Sequence, residues 1–204
     1  MLKIWGRKNS VNVKKALWCL DELGLEFSRS NAGMEHGVVN TPEYRKMNPN
    51  GLVPTLDEDG YVLWESHSIV RYLSAKHGKG VLWPMDERTR GVANQWMDWA
   101  FSFQGAVRDA FWNLVRTPAD KRDAKAVEAS RVKSGEMARI LDAALADKLY
   151  VAGPFSMGDI PIGCEMQRWL RLPMERPALP HIDAWFERLS ARPAFKKNVD
   201  IPLS

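Results

Sequence analysis

The chain has 204 residues, 45% hydrophobic and 26% charged, a balance typical of a globular protein that buries a substantial core. Its formal net charge is +4, but Lys and Arg are scattered among Asp and Glu without a run of five like charges, which argues against a nucleic-acid-binding tail. No apolar stretch is long enough to span a membrane, and the first residues do not resemble a signal peptide. We therefore expect a cytoplasmic protein with neither a nucleic acid nor a membrane as partner.

The first part of the chain alternates between short strands and helices. Gly24 ends the first predicted helix, and the Asp59-Gly60 pair predicts a hairpin turn. The predicted elements in chain order are a strand at residues 2–5, a helix from 11 to about 23, extended structure at 25–27, a loop at 31–40, a helical turn at 42–47, strands at 54–56 and 62–64, and a helix from 66 to about 76. This order of βαβ, α and ββα is that of a thioredoxin-like domain.

The composition changes after Gly78, Gly80 and Pro84, and from residue 87 onward the pattern is almost wholly helical. Long helical segments are predicted at residues 87–115 and 121–146. We therefore divide the chain into an α/β domain at residues 1–80 and an α-helical domain at residues 87–204. In the second domain, Ser156 and Asp159 approximate a capping box, which is a folding signal to which we assign no chemistry.

The two cysteines, Cys19 and Cys164, are far apart in sequence and form no CxxC motif, which disfavours a thioredoxin-type redox site. Both lie in segments of helical pattern, Cys19 among apolar residues of one face. We expect buried structural thiols, which suit a reducing compartment.

The most informative segment is NPNGLVPTL at residues 48–56, followed by Glu65 and Ser66. A cis Val53-Pro54 bond would leave the N–H and C=O groups of Val53 free to pair with an extended ligand. Ser66 at a helix N-terminus would bind a carboxylate, and Glu65 would pair with an ammonium group. Each residue alone also has an ordinary explanation, namely a trans proline, a plain helix cap and a solvated carboxylate. Together they fit a small, extended, doubly charged peptide.

The segments at residues 48–56 and 64–73 resemble the cis-proline strand and the acid-serine pair of the glutathione transferases, and the resemblance extends over nearly the whole chain. It is greatest to bacterial serine- or asparagine-type, theta- or nu-like members. It implies a thioredoxin-like domain followed by an α-helical domain, glutathione as co-substrate, no metal cofactor and a homodimer. The glutathione contacts that it implies are Asn40, Asn50, Val53, Pro54, Glu65 and Ser66.

One position departs from the family pattern. Relatives often place a polar residue upstream of the NP turn to bind the glycine carboxylate of glutathione, and Val39 stands there in this chain. We expect Asn40, His36 or Lys46 to supply that contact.

Glutathione transfer requires a thiolate, and a thiol has an ordinary pKa of about 8.5. Lowering this pKa by two units takes roughly 2.7 kcal/mol, which a hydroxyl donor and a helix N-terminus together supply. By the resemblance, Ser10 corresponds to the serine of serine-type transferases, and Asn12 to the asparagine that some bacterial and fungal relatives place near the sulfur. Asn9, Ser10 and Asn12 are also ordinary capping residues for the first helix. The segment contains no tyrosine or cysteine.

Arg108, Trp112 and Arg116 follow one another at intervals of four residues, which places them on one helical face if the helix extends that far. In the ordinary interpretation Trp112 is a core or interface residue and the arginines form surface ion pairs. In the functional interpretation they line a pocket for small anionic electrophiles such as halogenated acids, from which a thiolate displaces halide. We expect a transferase that conjugates or dehalogenates small electrophiles, either in detoxification or in a catabolic step. The alternatives are a glutathione-dependent disulfide-bond reductase and a non-catalytic binding protein of the same fold.

Overall fold

A computed structural model describes residues 1–204. Four strands form one mixed sheet in the order β2-β1-β3-β4. They are Leu2–Trp5 (β1), Phe27–Ser30 (β2), Thr55–Glu58 (β3) and Tyr61–Trp64 (β4). β1 runs parallel to β2 and antiparallel to β3, and β3 and β4 form an antiparallel hairpin. Ile4 pairs with Leu56 in the middle of the sheet, and both side chains are fully buried.

Eight α-helices complete the fold, three before residue 80 and five after it. They are Val11–Glu22 (α1), Pro42–Met47 (α2), Ser66–His77 (α3), Glu87–Phe111 (α4), Ala124–Ala144 (α5), Asp159–Leu170 (α6), Pro180–Ala191 (α7) and Pro193–Asn198 (α8). The predicted fold class is confirmed: a thioredoxin-like sheet with helices is followed by an α-helical part. No helix is both long enough and apolar enough to cross a membrane.

Helix α6 holds the two parts together because it contacts both α1 and α4. At Gly163 an added Cβ would lie 3.0 Å from the Trp18 ring of α1 and 2.9 Å from Leu189 of α7. Contacts this short leave no room for a side chain at residue 163. Glycine at this position therefore lets α1 pack closely on α6. This packing fixes the position of α1, at whose start Ser10 and Asn12 lie.

Several predicted boundaries differ from the structure by one to four residues, among them the following three. The extended segment begins at Phe27 rather than Leu25, because Leu25 N–H closes the end of α1 by donating to the Leu20 carbonyl at 3.0 Å. Helix α4 ends at Phe111 rather than at residue 115. Helix α5 begins after residue 123 rather than at 121, because the Asp123 carboxylate caps it there.

Both cysteines are buried and free, as predicted. Burial raises the pKa of the Cys19 thiol and of the Cys164 thiol to about 12. Neither thiol is therefore ionised at neutral pH, and both act as small apolar side chains of the core.

The capping box predicted at the start of α6 is only half formed. The Asp159 carboxylate accepts the Ser156 N–H at 3.0 Å, as a capping box requires. The Ser156 hydroxyl accepts from Gly158 N–H at 3.3 Å instead of from Asp159 N–H. Asp159 also accepts the Val151 N–H at 3.0 Å and the Trp185 indole N–H at 2.9 Å, so it joins three segments of the helical part.

Candidate active site

A cavity of about 670 Å³ lies between the start of α1, the loop before β3 and the end of α4. It brings together residues from both parts of the chain. The predicted site residues that line it are Ser10, Asn12, Asn40, Val53, Arg108, Trp112 and Arg116. Asn50, Pro54, Glu65 and Ser66 do not line it, and neither His36 nor Lys46 does.

Ser10 and Asn12 present their polar groups at the start of α1. Ser10 has the extended backbone of an N-cap residue (φ −71°, ψ 126°), yet its hydroxyl makes no capping hydrogen bond. The ordinary capping explanation therefore does not account for its side chain. The Asn12 amide oxygen accepts from Lys15 Nζ at 3.0 Å and from Gln104 Nε2 at 3.5 Å. Both side chains thus keep a donor group available to the cavity.

The loop before β3 has the predicted cis Val53-Pro54 peptide bond. Buried polar side chains fix the neighbouring residue: the Leu52 carbonyl accepts from the Tyr44 hydroxyl at 2.7 Å and from Asn48 Nδ2 at 3.0 Å. Val53 lines the cavity, and its N–H and C=O groups make no backbone hydrogen bond. An unpaired donor and acceptor on one residue form the edge to which an extended peptide adds.

Glu65 and Ser66 lie at the start of α3, as predicted. Glu65 has a φ of +72°, a conformation that is uncommon for a residue with a side chain. Its side chain is exposed and caps nothing, whereas Ser66 is buried as the first residue of the helix. The helix N-terminus therefore offers N–H groups next to an unengaged carboxylate.

Arg7, Arg116 and Arg168 make the cavity cationic. The guanidinium of Arg116 lies 4.5 Å from the centre of the Trp112 ring, and that of Arg168 lies 4.1 Å from the centre of the Phe111 ring. Burial, together with repulsion from Arg7 and Arg168, lowers the pKa of Arg116. Arginines that repel one another across a cavity are stabilised by an anion placed between them.

The expected α-helical face of Arg108, Trp112 and Arg116 is wrong in its geometry. A π-helix covers Trp112–Arg116, and Thr117 N–H donates to the Trp112 carbonyl, five residues earlier, at 2.9 Å. Pro118 follows and cannot continue the helix. All three side chains still reach the cavity, but Arg108 is mostly exposed and pairs with Asp109 at 3.2 Å.

Comparison with known proteins identifies the family. The family model for the N-terminal domain of glutathione S-transferases matches residues 9–76, and the model for the C-terminal domain matches residues 103–193. The chain belongs to the glutathione S-transferase family. The transferase is 40% identical to glutathione S-transferase GstB of Escherichia coli (strain K12) over all of both chains. It is 30% identical to glutathione S-transferase F10 of Arabidopsis thaliana over 90% of each chain.

A solved structure extends the match to three dimensions. The theta class glutathione S-transferase from Xanthomonas axonopodis pv. citri, crystallised with glutathione bound, superimposes with a TM-score of 0.96 at 46% identity. The match covers 100% of this transferase and 99% of that chain. The resemblance inferred from the two N-terminal motifs is therefore confirmed.

The sequence did not reveal Gln104 and Arg168 as part of this cavity in the transferase. Gln104 lies on α4 and contacts Asn12, whereas Arg168 lies on α6 and reaches the cavity only through tertiary packing. From the sequence, Arg7 could either assist the site electrostatically or be a solvated basic residue near a helix start, and the structure places it in the cavity lining. The helix pattern of α6 gave no signal for Arg168, because an arginine in a last helical turn is ordinary.

Proposed function

We propose that this transferase binds glutathione along the backbone edge at Val53, ionises its thiol at Ser10 and Asn12, and directs the thiolate to a small anionic electrophile. Residues 1–80 supply the glutathione side and residues 87–204 the electrophile side. The observation that carries the proposal is the shared cavity, which joins the two α1 donors, the unpaired Val53 backbone and the arginines.

The parts of the glutathione side match the parts of the peptide. The unpaired Val53 backbone suits its cysteine, and the start of α3 suits the γ-glutamyl end, with Ser66 at the carboxylate and Glu65 at the ammonium group. Asn40 and Asn50 are assigned to the remaining polar contacts. Asn40 lines the cavity, and its amide oxygen accepts from Arg45 at 2.9 Å, which leaves its N–H groups for the glycine carboxylate.

The chemical step is a nucleophilic displacement. The glutathione thiol releases its proton to water, and the Ser10 hydroxyl, the Asn12 amide and the N-terminus of α1 stabilise the resulting thiolate. The sulfur then bonds to the carbon that carries the leaving group, the carbon–halogen bond breaks and halide leaves with the electron pair. The protein contributes thiolate formation and alignment of the two substrates.

The electrophile side favours a carboxylate-bearing substrate because Arg116 and Arg168 face the cavity over aromatic rings. Trp112 supplies an apolar wall for the carbon that reacts. This supports dehalogenation of small acids over conjugation of large neutral aromatics. By family resemblance we further propose a cytoplasmic homodimer that detoxifies such compounds.

We predict that Glu65→Ala weakens glutathione binding at least about tenfold, because a charged hydrogen bond to the ammonium group contributes roughly 1.5–3 kcal/mol. Calorimetric titration of glutathione into wild type and variant measures this. Glu43→Ala, which removes an exposed carboxylate on α2, is the matched control and should bind like wild type. Equal affinity of Glu65→Ala and wild type would contradict the assignment of Glu65. Absence of binding to wild type would contradict the proposed function.

We predict that Arg116→Met lowers kcat/KM for a 2-haloacid about tenfold but changes kcat/KM for the matching neutral haloamide less than about twofold. Halide release, corrected for the uncatalysed reaction with glutathione, measures both. Arg139→Met, at an exposed position of α5, is the control for loss of positive charge. Equal effects on acid and amide would oppose carboxylate recognition, and turnover of a model disulfide alone would favour the disulfide-bond reductase.

A further inference from the structure

Directly behind the thiolate site lies a fully buried ammonium group. Lys15 Nζ is 3.0 Å from Asn12 Oδ1, 3.1 Å from His67 Nε2 and 2.9 Å from Glu165 Oε1. The side chains of Lys15 and Glu165 are both inaccessible to solvent. An ammonium group has three protons and no acceptor, so Lys15 donates hydrogen bonds to Asn12 and His67 and forms an ion pair with Glu165.

The partners of Lys15 have fixed roles. Burial and the adjacent Lys15 charge lower the pKa of His67 to about 2, so the ring is neutral and its Nε2 accepts a hydrogen bond from Lys15. The ring stacks on Phe101, with the ring centres 3.8 Å apart. Glu165 supplies the counter-charge, and its other oxygen lies 3.7 Å from Arg168 of the cavity. Neither Glu165 oxygen accepts a hydrogen bond from a protein donor, so these contacts are ionic.

Stability alone is a weak reason for this arrangement. Two charges removed from water carry a desolvation cost that their attraction often fails to exceed, and apolar side chains of the same volume frequently stabilise a core as well or better. The polar group that benefits is Asn12, the only Lys15 partner that lines the cavity. We therefore explain the buried Lys15 charge by the orientation that it imposes on the Asn12 amide.

An amide side chain has one acceptor end and one donor end, and the two orientations differ by a flip of the amide. Lys15 can only donate, so it requires the oxygen of Asn12 to face it. Gln104 Nε2 lies 3.5 Å from the same oxygen and also donates to it, so it favours the same orientation of the Asn12 amide. With the oxygen held by two donors, the NH₂ group of Asn12 faces away from them and towards the cavity.

We propose that Lys15 is a positioning residue of the thiolate site, which locks the Asn12 amide with its NH₂ group towards the glutathione sulfur. The inference rests on the proposed function, because it needs glutathione in this cavity. Lys15 touches no substrate and acts through Asn12. Other charged groups around the site come from several elements: His67 on α3, Glu165 and Arg168 on α6, Arg7 before α1, and Arg108 and Arg116 at the end of α4 and beyond it.

The test replaces the buried ion pair by a neutral pair, Lys15→Met with Glu165→Gln, because removing Lys15 alone would leave an unpaired buried charge. The ultraviolet absorbance of bound thiolate is followed against pH. We expect the pKa of the bound thiol to rise by about half to one unit, and kcat at a pH well below the thiol pKa of wild type to fall about threefold to tenfold, with glutathione affinity changed less than about twofold. In the Asn12→Ala background the same pair should change the thiol pKa hardly at all.

If Lys15 had only a structural role, the pair variant would be less stable than wild type, but its thiolate absorbance would depend on pH as in wild type. An unchanged thiol pKa in the folded pair variant, or an equal rise in the Asn12→Ala background, would overturn the proposal. If the pair variant does not fold, Lys15→Met with Glu165→Leu replaces it, and the same two outcomes decide. The wild-type measurement distinguishes the two proposals. If wild type binds and ionises glutathione but the pair variant does not change the thiol pKa, only the role of Lys15 is refuted. If wild type forms no bound thiolate, the proposed function is refuted as well.

Discussion

Replacing Ser10 by alanine is expected to lower kcat by about ten- to a hundredfold at a pH well below the thiol pKa of wild type and to leave glutathione affinity within about twofold. The hydroxyl caps no helix N–H and lines the cavity, so its removal deprives the bound thiolate of a donor without breaking a contact of the fold. Asn12→Ala should produce a loss of the same kind, and the double variant a larger one. Steady-state kinetics and calorimetry on the same samples separate turnover from binding.

The pH profile identifies the origin of this loss. A thiol that has lost a donor has a higher pKa, so the rising limb of kcat against pH should shift upward by about one to two units. Turnover of Ser10→Ala should therefore recover as the pH is raised. Ser102→Ala, at an exposed position of α4, serves as the control and should match wild type. Full turnover in Ser10→Ala would transfer the role to Asn12, and full turnover in the double variant would contradict both assignments.

The features predicted well from the sequence are those that local chemistry determines. Helix α2 begins and ends where predicted because Thr41 caps it, accepting the Tyr44 N–H at 3.2 Å, and Pro42 occupies its first turn. The hairpin between β3 and β4 turns at Asp59 and Gly60, which both have positive φ, as their pairing predicts. The motifs around Val53 and Glu65 are local in the same sense, since each depends on a few neighbouring residues.

The features that the sequence did not reveal depend on contacts between distant segments. Lys15 and Glu165 meet only because α6 packs on α1, and neither residue carries a local signal. Arg168 reaches the cavity for the same reason. The π-helix at Trp112–Arg116 was missed because the apolar spacing of this segment is compatible with a continued α-helix. The candidate site therefore consists partly of local motifs, which the sequence shows, and partly of residues that only tertiary packing brings together.

Asp159→Asn is expected to lower the free energy of unfolding by about 3 kcal/mol, although the change is nearly isosteric and lies outside the cavity. Both carboxylate oxygens of Asp159 act as acceptors: Oδ1 for Val151 N–H and Trp185 Nε1–H, and Oδ2 for Ser156 N–H. An amide has only one acceptor oxygen, so its NH₂ group would face one of these donors and leave buried groups unpaired. Three segments of the α-helical part would lose their common contact.

Thermal and urea denaturation measure this loss, and the melting temperature should fall by about 6 to 12 °C for a chain of this size. Asp183→Asn is the matched control, because it removes the same charge from an exposed position on α7. It should change the melting temperature by no more than about 2 °C. A melting temperature of Asp159→Asn equal to that of the control would show that the three hydrogen bonds contribute little.

The pH dependence gives an independent check on Asp159. Burial raises its pKa from the ordinary 3.8 to about 6, because the loss of hydration outweighs its three N–H donors. Between these two pH values the folded protein keeps a proton that the unfolded chain has released, so stability falls as pH rises, by at most about 1.4 kcal/mol per pH unit. The stability difference between wild type and Asp159→Asn, in which other groups cancel, should therefore grow on acidification from pH 6 to pH 4. A difference that shrinks over this range would mean that the N–H donors prevail and that the folded carboxyl ionises more readily than the unfolded one.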